Sequence, residues 1–147
     1  MTTKMESHYL FLSSSDGSKL FSDINTHGDF IVQLPKRLDL SGSWKCALTE
    51  FQYTSVFQSR ETPKEILVCS DLCESSYCVD TQLPLLRRIS IDYTRPNMQK
   101  CIIFTRAYYM PVKQGQLSQL KIYIKTPDHK NVTFKNKVSC VLHLKKE

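Results

Sequence analysis

Cys69, Cys73 and Cys78 stand at spacings of four and five residues, and they open a segment, Cys69 to Ile91, that continues into Leu83-Pro84-Leu85-Leu86 and the pair Arg87-Arg88. Three thiols so close together suggest a zinc site. A structural zinc site, however, shows a tight Cys pair plus a second such pair or a His pair. Here the fourth ligand would have to come from Cys46, Cys101, Cys140 or a distant His, so no metal is expected. Nucleophilic catalysis has as little support. His8, His27, His129 and His143 each fall in a strand or a turn, with no GxSxG, HExxH or Cys-His context around them. Glycines at 17, 28, 42 and 115 are scattered, so no glycine-rich loop is available to cradle a phosphate. The reading is a chain with no catalytic residue and no cofactor. Asn131-Val132-Thr133 fits the glycosylation rule but reads as a hairpin turn.

The N-terminal stretch is polar rather than a basic head followed by an apolar run, so thiols are expected to stay free. Cys46 and Cys140 fall in the apolar phase of their strands, where cysteine acts as a small hydrophobe. No window approaches the roughly 20 apolar residues of a membrane span. The formal charge of +6 is unevenly spread. Residues 1–80 carry seven Lys or Arg against eleven Asp or Glu, and residues 81–147 carry thirteen against three. Tyr93, Phe104, Tyr108, Tyr109 and Tyr123 lie in that basic half and could stack on single-stranded nucleic acid. Aromatic residues are equally common as cross-strand packing partners, so nucleic acid is not the expected partner.

The elements that would position these residues are strands. HYLFLS at 8–13 has apolar residues on both faces, Leu10 and Leu12 against Tyr9 and Phe11. DFIVQLP at 29–35 alternates and should stop at Pro35. In WKCALTEFQYT, Trp44, Cys46 and Leu48 share one face, while Phe51 and Tyr53 take the apolar role beyond. Such a switch predicts a bulge or a change of sheet, with a short helix over 48–57 as the competitor. The compact ILVC follows. In LPLLRRISIDY, Leu83, Leu85, Arg87, Ile89 and Ile91 form one alternating set, opposite Pro84, Leu86, Arg88, Ser90 and Asp92. KCIIFTR and LSQLKIYIKT add strands, and PDHKN at 127–131 reads as the turn of a final hairpin leading to KVSCVLHLKK. Eight or nine strands without helical periodicity point to one domain, 1–147, built as an antiparallel sandwich or barrel.

LSGSWKCALTEFQY at 40–53 and DLCESSYCVDTQLPLLRRI at 71–89, with YYMPV at 108–112 and VSCVLHLKK at 138–146, resemble the small capsid protein of Polinton (Maverick) elements and adintoviruses. That family is similar to the single jelly-roll penton proteins of capsid vertices. Within these stretches Trp44, Glu50, Tyr53, Asp71, Asp80 and Pro84 carry the structural motif. The chain departs from the family pattern at Val79, where the family has glycine. It departs again in the last hairpin, where His129, Asn131 and Asn136 stand where glycine is expected.

The resemblance implies an all-β, eight-stranded antiparallel jelly-roll sandwich. It also implies a structural virion protein, a minor capsid or penton subunit of a double-stranded DNA virus or virus-like transposon. Such a subunit would form a homo-pentamer, contact the major capsid protein and in some roles a host receptor, and assemble in the host nucleus. Leu85, Leu86, Arg87, Arg88, Tyr109, Met110 and Pro111 are the expected interface residues, with one arginine paired to a carboxylate such as Asp71 or Asp80 and the other reaching a neighbour. The alternative is a sandwich module that binds carbohydrate, a receptor or single-stranded nucleic acid.

Overall fold

A computed structural model describes residues 6–16, 26–56, 59–78 and 81–147. The described residues form antiparallel β-structure with no α-helix, the one helical piece being a 3-10 turn at Ser14–Asp16. No described helix is long and apolar enough to cross a membrane. In chain order the strands are β1 (Ser7–Ser13), β2 (Asp29–Leu40), β3 (Trp44–Thr54), β4 (Glu65–Ser70), β5 (Ser76–Cys78) and β6 (Thr81–Leu83). They continue as β7 (Leu85–Ser90), β8 (Gln99–Ile103), β9 (Met110–Pro111), β10 (Gly115–Lys125) and β11 (Ser139–Lys146). One sheet has the order β1-β11-β3-β8, with β9 also paired to β3. The second has the order β2-β10-β4-β7, and β5 and β6 form a separate hairpin.

Period-two apolar patterning brings the two sheets together. Phe30, Val32, Ile66, Val68, Ile122 and Ile124 of the second sheet share one buried cluster with Leu12, Cys46, Leu48, Phe51, Leu142 and Leu144 of the first. Each such large apolar side chain removed from water contributes roughly 1.5–3 kcal/mol. A smaller cluster lies on the outer side of the second sheet. There Leu67 and Cys69 of β4 meet Cys78 and Leu83 of the hairpin, Leu85 and Tyr123. The amphipathic hairpin thus covers apolar side chains that would otherwise face water.

Bulges explain where alternation changes phase. Opposite β11, Val141 pairs with Glu50 and Leu142 with Leu48, so Thr49 is the extra residue. It allows Leu48 and Phe51, of opposite parity, both to point into the core. The strand runs on to Thr54, so the helix over 48–57 does not form. In β7 the expected alternation fails for the same reason. Val68 pairs with Arg87 and Cys69 with Leu85, which leaves Leu86 as the bulged residue and buries it together with Ile89. Pro35 does not end β2; it interrupts it. Pairing with β10 lapses between Gln33 and Leu38 and then resumes, and β2 is an edge strand, where a missing N–H is tolerated.

The expected final hairpin is also corrected. β10 and β11 lie in different sheets, and the residues between them cross from one sheet to the other. Val132 and Phe134 form no strand there. They pack against the main core, with the Phe134 ring 5.8 Å from that of Tyr53 and 6.4 Å from that of Phe51. In the turn after β10, His129 takes a φ of 67°, the left-handed conformation for which glycine is usual. Gly28 is required for another reason: a Cβ there would lie 1.7 Å from the carbonyl oxygen of Val132.

Candidate subunit interface

The seven expected contact residues do not share one surface. Leu86, 1% exposed, belongs to the core and is withdrawn from the interface set, because the bulge turns it inward. Leu85 is half-buried beneath the β5–β6 hairpin. Arg87 and Arg88 point to opposite sides of β7. Arg87 shares a face with its cross-strand neighbour Val68, and its guanidinium carbon lies 3.9 Å from the Phe104 ring centroid and 4.4 Å from that of Tyr108. It also donates a 2.7 Å hydrogen bond to the Arg106 carbonyl. Arg88 is on the outer side, where it grips Glu65 through two hydrogen bonds of 2.6 and 2.8 Å. These bonds hold the Glu65 carboxyl below its usual range.

One arginine does pair with a carboxylate, but Arg88 takes Glu65 rather than Asp71. Asp71 is exposed and accepts a hydrogen bond from the Lys121 amide at 2.9 Å, tying the chain after β4 to β10. Asp80 and Val79 lie outside the described residues. Pro84 is half-buried, and its carbonyl accepts from the Ser70 amide at 3.0 Å. Trp44 is buried; its indole N–H donates to the Ser41 carbonyl, and its ring stacks with His8. Tyr53 is buried, and its hydroxyl accepts from the Asp92 amide at 3.1 Å. Glu50 accepts from the Cys101 thiol at 3.0 Å and from Gln52, and these bonds, the thiol's first, lower its carboxyl.

Tyr109, Met110 and Pro111 flank β3 in the first sheet. Met110 packs half-buried against the core, while Pro111 is exposed and accepts a hydrogen bond from the Glu74 amide at its carbonyl. Tyr109 belongs to an aromatic group on the outer face of that sheet. Its hydroxyl is 2.8 Å from Nδ1 of His143, and the ammonium of Lys145 lies 3.9 Å from its ring centroid. Tyr9 stacks on the same imidazole at 4.4 Å. Burial, and then Lys145, push the His143 pKa down.

The five aromatic residues considered for nucleic-acid stacking do not share a surface. Phe104 lies half-buried under Arg87, Tyr123 is half-buried under the hairpin, and Tyr93 donates its hydroxyl proton to the Pro63 carbonyl. The three clustered cysteines also separate. Cys73 is in the main core near Cys46, whereas Cys78 points inward from the hairpin onto the sheet, where Cys69 lies. All six thiols are free, and only Cys101 is exposed.

Residues outside the expected set complete the outer face. Strand register places Phe11, Val141, Glu50 and Ile103 in one row across β1, β11, β3 and β8. Phe11 is 77% and Ile103 70% exposed. A cleft of about 300 Å³ opens beside the row, lined in part by Phe11, Glu50, Gln52, Lys137 and Val141. The signal was present in HYLFLS, apolar on both faces: its inner face meets the core, and on its outer face Tyr9 stacks on His143 while Phe11 stays exposed. No protein-family model and no curated protein matches this chain.

Proposed function

We propose that the chain is a jelly roll that serves as a minor capsid or penton subunit, self-associating as a homo-pentamer and contacting the major capsid protein in the virion. The observation that carries this reading is the pairing order of the eight main strands. Setting aside β9 and the β5–β6 hairpin, the first strand pairs with the eighth, the second with the seventh, the third with the sixth and the fourth with the fifth. These are the rungs of one long hairpin. Rolling it up sets the eighth strand beside the third and the seventh beside the fourth, as β11·β3 and β10·β4 are here. A jelly roll arises by that operation.

Fold by itself does not assign function. The capsid role also draws on the sequence resemblance and on Phe11 and Ile103, two large apolar side chains exposed on the outer face of the first sheet. Sedimentation at micromolar concentration, alone and with the major capsid protein, tests the reading. Oligomers, or a complex with the capsid protein, are expected. A chain that stays monomeric and ignores the capsid protein overturns it. Retention on a polyanion column that falls steeply with salt would point instead to a nucleic-acid module.

A further inference from the structure

The two sheets treat their outer faces differently. On the second sheet, the β5–β6 hairpin lies over Leu67, Cys69 and Leu85, burying the first two and half-burying the third. The first sheet has no such cover over Phe11, Val141 and Ile103 among the described residues, and Phe11 and Ile103 are largely exposed. The hairpin itself is two-sided. Cys78 and Leu83 point toward the sheet, while Tyr77 and its cross-strand partner Gln82 point away. Tyr77 is 82% exposed. The hairpin is nonetheless anchored, in β5 through the buried Cys78 and in β6 through Thr81, whose hydroxyl is 3.2 Å from His129 Nε2. A tyrosine held out on an anchored element is the kind of side chain that dominates interfaces, because little conformational entropy is lost when it docks.

Charge favours a match between the two surfaces. Between Ser70 and Leu86 the chain carries Asp71, Glu74 and Asp80 and no Lys or Arg, and the nearest basic residue along the chain on the outer side, Arg88, is paired with Glu65. On the first sheet's outer side, Lys137 borders the cleft beside Phe11 and Lys145 lies against Tyr109. The one carboxylate in the row, Glu50, is engaged by Cys101 and Gln52.

We propose that copies of this chain associate head to tail, the outward face of the β5–β6 hairpin of one copy, centred on Tyr77, docking on the Phe11–Val141–Ile103 row of the next. The contact supplies in trans the kind of cover that the hairpin already gives its own sheet in cis. It rests on the reading of the chain as a self-assembling subunit, and it specifies the joint. Two different patches on opposite sides of the sandwich make the contact heterologous, which is the type that closes into a ring when its rotation divides a full turn.

Sedimentation velocity of the full chain and of two variants, Tyr77→Asp and Phe11→Asp, tests this. Each variant alone should lose association by about thirtyfold or more, the range of an interface hot spot. Mixed in equal amounts they should form dimers and nothing larger, because the intact row of Tyr77→Asp can accept the intact hairpin of Phe11→Asp only once. Both side chains are largely exposed, so native melting is expected. Gln82→Arg and Ile103→Asp repeat the experiment if either variant melts early.

If Tyr77→Asp assembles like the parent while Phe11→Asp does not, the contact is row to row and the proposal is overturned. Absence of the mixed dimer overturns it as well. A parent chain that is monomeric at every concentration also ends it, but the capsid reading then falls only if association with the major capsid protein is missing too.

Discussion

Arg87→Ala should destabilise the protein far more than Arg88→Ala, although the two residues are adjacent and chemically identical. Arg87 lies between two rings, at 3.9 and 4.4 Å, and each contact is worth about 0.5–1 kcal/mol at a partly exposed site. Its hydrogen bond to the Arg106 carbonyl adds about 1 kcal/mol. The expected loss is therefore about 2–3 kcal/mol, or roughly 5–10 °C in melting temperature for a chain of this size. Arg88 makes the better-looking ion pair, yet it is in water, where pairing gains little over solvation. Urea unfolding followed by the fluorescence of Trp44, the single tryptophan and a buried one, measures both variants. A double-mutant cycle of Arg87→Ala with Tyr108→Ala should return a coupling of about 0.5–1 kcal/mol. Equal losses for the two arginine variants, or a coupling of zero, would refute the reasoning. Arg87→Lys is expected to recover only part of the loss, because an ammonium cannot lie flat against two rings.

Three further outcomes follow from the titrating groups. A disulfide reagent at pH 8 should modify Cys101 alone in the native protein and all six thiols after denaturation. The Cys101 reaction should quicken in Glu50→Gln, because its hydrogen bond to Glu50 raises the thiol's pKa and lowers its thiolate fraction. Burial pushes Cys69 and Cys140 up to about 12 from 9.0. Stability associated with these thiols is thus complete below pH 9 and lost as pH rises toward 12, visible as alkaline unfolding. His143 behaves in the opposite sense. Its pKa is lowered from 6.5 in the fold, so the unfolded chain takes up the proton first, and the associated stability present above pH 6.5 is lost as pH falls. The difference in melting temperature between pH 7.5 and 5.5 should shrink in His143→Gln; an unchanged difference would assign the titration elsewhere.

Much of the strand content was legible in the chain because period-two burial leaves a direct trace. Phe30 and Val32, Ile122 and Ile124, and Leu142 and Leu144 alternate with polar or half-exposed residues and fill the core. Even the bulge in β3 could be anticipated, since Leu48 and Phe51 cannot share a face without an extra residue between them. The bulge at Leu86 could not. Every residue from Leu83 to Leu86 is apolar or proline, so no change of phase shows, and the local pattern assigned Leu86 to the wrong side.

The sequence by itself determined that this is a strand-built protein and where its apolar faces lie, because side-chain alternation is a local property. Only the tertiary structure decided which apolar faces find cover. Leu67, Cys69 and Leu85 are covered by the hairpin, whereas Phe11 and Ile103, no less apolar, are left in water. It also decided that Arg88 meets Glu65 and Arg87 meets Phe104 and Tyr108, partners separated from them along the chain and joined by sheet pairing and by the return of the chain across the sandwich. Cover and partnership depend on which strands become neighbours. That follows from the balance of the whole core, which no short stretch such as Cys69 to Ile91 contains.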